Sequence, residues 1–123
     1  MWYSNLKVIF LDVLCLDYSE VTSDILARID SDLSITNSTD PEVKVRWFFI
    51  SILSRYDAAT SAAGTFVSQT GRVKYLYPLY TAMKLRSLIT VKKWYDTYSW
   101  FYTVPVRTAL YALISLQEEN MNV

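Results

Sequence analysis

Arg72 and Lys74 stand two residues apart, directly after Gly71, and form the one cation pair whose types and spacing point to binding chemistry. A guanidinium is planar and can engage a carboxylate with two parallel hydrogen bonds; an ammonium beside it adds a point charge. Charge-assisted bonds of this kind contribute about 1.5–3 kcal/mol each. The competing reading is structural. Two cations just past the end of a helix are favoured by its dipole without binding anything. The residues alone leave both readings open.

Other chemistry is excluded by what the chain lacks. There is no histidine, which removes an H-E-x-x-H zinc motif, a Ser-His-acid triad, a Cys-His pair and any imidazole base. Cys15 is the single cysteine, so neither an internal disulfide nor a thiolate metal cluster can form. A lone cysteine suits a reducing compartment, and the neighbours Val13, Leu14 and Leu16 predict a buried, packing thiol. Gly64 and Gly71 belong to no phosphate-binding glycine pattern. Asp30 and Asp32 are expected on a solvated helix face, not as an acid/base pair. The aromatics Trp94, Tyr95, Tyr98, Trp100, Phe101 and Tyr102 lack an interleaved basic stripe. They are expected to serve helix packing, or an exposed patch facing another domain, and not to stack on nucleic acid.

The elements that must position Arg72 and Lys74 lie between Asp40 and Tyr80. Asp40 is suited to cap a helix, Pro41 to its first position, and Glu42 to the positive end of its dipole. Trp47 to Leu53 is apolar almost all round, so this helix should be buried on more than one side, with Trp47 deep in the core. Arg55-Tyr56-Asp57 is a turn. The helix after it carries Ala58, Ala59, Ala62, Ala63, Phe66 and Val67 at helical spacing. Gly71 is expected in a left-handed cap. An extended segment should follow, pointing Val73 and Tyr75 inward and Arg72 and Lys74 together outward. Pro78 fits the opening turn of the next helix.

In sequence order, Arg46-Trp47, Tyr56-Asp57 and then Gly71-Arg72-Val73-Lys74-Tyr75-Leu76-Tyr77-Pro78-Leu79 resemble the C-terminal helical domain of leukotriene A-4 hydrolase and aminopeptidase B-like zinc aminopeptidases. The glycine-arginine signature carries most of the resemblance. Val104 departs from it, because the relatives place a histidine directly before the proline of the last helix. The resemblance implies an armadillo-like right-handed superhelix. It implies an accessory C-terminal domain of a zinc metallopeptidase, shaping the substrate cleft. Arg72 would bind the carboxylate of a peptide C-terminus or lipid substrate, with Lys74 assisting. It also implies that zinc, its ligands and the catalytic glutamate belong to an upstream catalytic domain, which would be this domain's partner. This chain would hold no cofactor, and alone would show no aminopeptidase or epoxide hydrolase activity. The alternative is a stand-alone helical scaffold for a protein partner.

Composition agrees with a helical domain. At 123 residues the chain reads as a single domain, 1–123, with few Gly and Pro to support many tight turns. Twelve basic and twelve acidic residues leave no net charge to attract nucleic acid or an acidic membrane. The apolar run after Lys7 is interrupted by Asp12, and no small-residue cleavage site follows. No apolar run reaches membrane-spanning length. The expectation is a soluble, cytoplasmic chain.

Seven helices are expected, as antiparallel pairs in a two-layer all-α solenoid. The first covers about Asn5 to Leu16, burying Leu6, Ile9, Phe10, Val13 and Leu14. The second is capped by Ser19 or Thr22 and runs to about Leu33, with Glu20, Asp24, Asp30 and Asp32 facing water. The third runs from Pro41 to Ser54, the fourth from Asp57 to Gln69, the fifth from Leu76 to Leu85 and the sixth from Leu88 to Phe101. Thr103 caps the seventh, and residues from Glu118 onward should fray.

Overall fold

A computed structural model of the protein describes residues 4–121, with side-chain surroundings from Asn5 to Ser115. All its regular structure is helical: α1 Ser4–Leu16, α2 Ser23–Leu33, α3 Pro41–Leu53, α4 Asp57–Gln69, α5 Val73–Arg86, α6 Leu88–Tyr98 and α7 Val104–Met121. Short 3₁₀ turns cover Tyr18–Glu20, Ile35–Asn37 and Ser99–Phe101. No strand occurs among the described residues. Among the described residues the all-α class and the helix number are therefore those expected from the sequence, consistent with a helical solenoid. No helix among the described residues is long and apolar enough to cross a membrane.

Local chemistry starts these helices where the sequence indicates. Thr22, not Ser19, caps α2 by accepting the Ile25 N–H. The Asp40 carboxylate accepts the Glu42 N–H at 2.9 Å, and Pro41 opens α3. Ser87 alone separates α5 from α6, and its hydroxyl accepts the Thr90 N–H. Among the described residues the two left-handed ones are Ser34 (φ 53°) after α2 and Arg55 (φ 60°) after α3.

By its contacts the chain divides into two compact units, Met1–Ala63 and Gly64–Val123, the division falling inside α4. In the first, α1 packs on α3, and the Ile35–Asn37 turn packs against α2 and α3. Trp47 and Phe48 are buried there with Leu11, Leu26, Ile35 and Ile50. In the second, α5, α6 and α7 pack pairwise around Leu76, Leu79, Tyr80, Val91 and Leu110.

The inward face of α1 differs from the expected one. Leu11 is fully buried, while Leu6, Ile9 and Val13 are exposed. Val8, Ile9, Phe10 and Leu11 are consecutive apolar residues, so periodicity does not select a face; packing on α3 does. Helix α6 is also shorter than expected. It ends at Tyr98, and Phe101 lies exposed in the turn after it. Helix α7 continues to Met121, through part of the tail expected to fray; Asn122 and Val123 lie outside the described residues.

Candidate functional site

Arg72 is the N-cap residue of α5, with an extended backbone (φ −91°, ψ 121°). Its carbonyl accepts the N–H groups of both Tyr75 and Leu76 at 3.0 Å, so residues 72–76 form one closed turn. Its own N–H leans on the Thr70 hydroxyl at 3.4 Å. Arg72 and Lys74 are both exposed. The Arg72 guanidinium carbon lies 5.5 Å from the centre of the Tyr75 ring, and the Lys74 ammonium lies 5.4 Å from it. Both distances are within cation–π range. The ring is itself buried and tilted at 55° against Phe66, with centroids 6.0 Å apart.

The pair is thus brought together, by a different route from the expected one. Val73 to Tyr75 is the first turn of α5, not an extended segment, and Val73 is 41% exposed where an inward position was expected. Tyr75 points inward as expected. Gly71 has no positive φ, so it forms no left-handed cap. Pro78 sits inside α5 and not in its opening turn. It has no N–H for the Lys74 carbonyl, and the burial of Leu76, Leu79 and Tyr80 holds the helix across that gap. The site's electrostatics change accordingly. The two cations open α5, where its dipole is positive and no acidic residue occupies the first turn. The α5 dipole disfavours them there, and this opposes the favourable dipole of α4, which ends three residues before Arg72 at Gln69. Among the described residues no carboxylate forms an ion pair with Arg72.

A family model described as "Leukotriene A4 hydrolase, C-terminal" matches residues 2–114, nearly the whole chain. The chain belongs to that family. Searches of curated proteins and of solved structures return no match.

Within this leukotriene A4 hydrolase C-terminal domain, the Arg46-Trp47 pair has two separate tasks. Arg46 bridges α3 to α1: its Nε meets Asp12 at 2.6 Å, and its Nη1 meets Glu42 at 3.1 Å. Trp47 Nε1 donates to the Thr36 hydroxyl at 2.8 Å, and its ring stands edge-on to Tyr56 at 6.0 Å. The Thr36 hydroxyl donates in turn to Asp30 Oδ2 at 2.6 Å, which also accepts from the Tyr56 hydroxyl at 2.8 Å. The Thr36 N–H donates to Asp30 Oδ1 at 2.9 Å. Asp30, expected on a solvated face, is the acceptor at the centre of this network; Glu20, Asp24 and Asp32 are exposed as expected, Asp32 paired with Arg28. Burial, then the bond to Asp30, raises the Tyr56 hydroxyl above its ordinary pKa.

The second unit of the domain has its own polar groups. Tyr102 donates to the Val67 carbonyl at 2.7 Å, and Tyr80 joins it at 3.1 Å. Burial raises both hydroxyls, Tyr102 to about 12. Buried Lys84 donates to the carbonyls of Leu113 and Ile114, tying α5 to α7. Nothing in the pattern around Lys84 signals that role. Cys15 is half-buried where a buried thiol was expected, its thiol 3.9 Å from the Arg46 carbonyl and pushed up to about 11 by burial and then by Asp12. Among the described residues no three His, Cys, Asp or Glu side chains gather where they could hold a metal ion.

Proposed function

We propose that this domain is the accessory half of a leukotriene A4 hydrolase-type zinc aminopeptidase, and that Arg72 and Lys74 read the carboxylate of its substrate. The observation carrying this reading is the placement of the two cations. They stand exposed at the N-terminal end of α5, and Arg72 has no carboxylate partner among the described residues. A carboxylate bound there would meet a guanidinium fork, an ammonium and the positive end of a helix dipole. Fixing the substrate's charged end also fixes the distance to the bond that is cut, so the pair would act on turnover as well as on affinity. Peptide-bond chemistry itself, with its zinc, belongs on this reading to a catalytic domain supplied upstream or as a partner.

A fusion of the chain to a zinc aminopeptidase catalytic domain of this type tests the proposal. Arg72→Ala should cut turnover of peptides with a free C-terminus far more than turnover of amidated ones. Equal losses for the two would assign Arg72 to the fold and not to recognition.

A second reading is a helical scaffold for a protein partner. The exposed apolar row of α1, Leu6, Ile9, Val13 and Leu16, favours it. Charged substitutions along that row that leave the fusion's turnover intact but abolish binding of a protein partner would support this reading instead.

A further inference from the structure

Arg72 and Lys74 are like charges on long, flexible side chains in the same helical turn. Left to themselves they would repel and sample solvent separately. Their shared feature is the Tyr75 ring, within 5.5 Å of one and 5.4 Å of the other. That ring does not move with them. It is only 6% exposed, it packs at a tilt on Phe66, and its backbone N–H is bonded to the Arg72 carbonyl. The face of an aromatic ring carries negative potential that attracts cations. A fixed ring that attracts both cations therefore offsets part of their repulsion and limits where each can point.

We infer that Tyr75 is the positioning residue of the pair: its ring gathers the guanidinium and the ammonium into one preorganised anion clamp. The inference rests on the carboxylate reading above and adds to it the residue that makes two separate cations act together. Tyr75 touches no substrate in this scheme. The ring face matters and the hydroxyl does not, so phenylalanine should replace it, while leucine, of comparable apolarity but without a π face, should not.

The test uses the full chain and two probes, trialanine with a free carboxylate and trialanine amide, titrated by NMR. In the wild-type chain the acid should bind more tightly than the amide. Tyr75→Phe should keep that ratio within about twofold. Tyr75→Leu should weaken acid binding by roughly five- to tenfold, with amide binding unchanged. It should also abolish the ring-current shifts of the Arg72 and Lys74 side-chain protons. Arg72→Ala should bring the ratio to one. A folded Tyr75→Leu chain that keeps the wild-type ratio overturns the positioning role and leaves the carboxylate reading standing. An Arg72→Ala chain that keeps the ratio overturns the carboxylate reading, and a wild-type ratio of one overturns both. If Tyr75→Leu does not fold, fluorinated phenylalanines at position 75 drain the ring's potential while keeping its shape. Acid affinity should then fall stepwise with fluorination, and a flat series overturns the inference.

Discussion

The Tyr56 hydroxyl donates to the Asp30 carboxylate across 2.8 Å, joining the end of α2 to the turn before α4. Asp30 accepts two further bonds from Thr36, and Thr36 accepts one from Trp47. Removing the acceptor strands several donors at once, whereas removing one donor does not. Asp30→Ala should therefore destabilise the chain by about 2–4 kcal/mol and Tyr56→Phe by about 1 kcal/mol in denaturant titrations. Equal, small effects would return Asp30 to the solvated face.

Ser51 sits fully buried in α3, and its hydroxyl has no hydrogen-bond partner among the described residues. Burying such a group without a partner costs about 1–3 kcal/mol. Ser51→Ala should leave the melting temperature unchanged or raise it. A clear fall would reveal a partner for the hydroxyl.

The two glycines give a direct check on the backbone around the candidate site. Neither has a positive φ. A Cβ at Gly71 meets open space, and one at Gly64 would lie in ordinary contact with Trp94 Nε1, 3.8 Å away. Gly64→Ala, within α4, should stabilise by about 0.5–1 kcal/mol. Gly71→Ala should be tolerated. A loss of more than about 1 kcal/mol at Gly71 would restore the left-handed cap that the sequence suggests.

Alkaline unfolding follows from the buried tyrosines. Tyrosine in an unfolded chain ionises near about 10, whereas folded Tyr102 keeps its proton to about 12 because it is buried. Between those values the folded state binds more protons than the unfolded one. Its contribution to stability is therefore complete below about pH 10 and is lost as pH rises through about 12, at up to about 1.4 kcal/mol per pH unit. Denaturant midpoints should hold steady below that window and drop within it, with a shallower drop for Tyr102→Phe. Midpoints that rise there would reverse the sign.

Helix starts were legible because their chemistry is local. Thr22 and Asp40 each bond an N–H two or three residues ahead, and Pro41 fits only where it stands. Trp47 was legible as core because apolar residues surround it on every side of α3. Asp30 was not, since its partners Thr36 and Tyr56 come from later elements and an acid on an amphipathic helix otherwise reads as solvated. The alternation Arg72-Val73-Lys74-Tyr75 imitates a strand, and Pro78 imitates a helix start. Buried Leu76, Leu79 and Tyr80 override both signals and draw the helix back to Val73. At the site, the cation pair was visible in the sequence. The ring beneath it was visible only as an inward aromatic, because cation–π geometry depends on that helical turn.

The carboxylate-reading role of Arg72 is the central claim, and one measurement addresses it most directly: the affinity of the chain for a peptide acid relative to its amide, for wild type, Arg72→Ala and Arg72→Lys. Lysine keeps the charge but not the planar fork. Two charge-assisted hydrogen bonds lost together should lower acid affinity at least tenfold in Arg72→Ala. Arg72→Lys should recover only a minor part, and amide binding should be the same in all three. An acid-to-amide ratio that survives in Arg72→Ala, or that Arg72→Lys fully restores, would contradict recognition by a guanidinium fork.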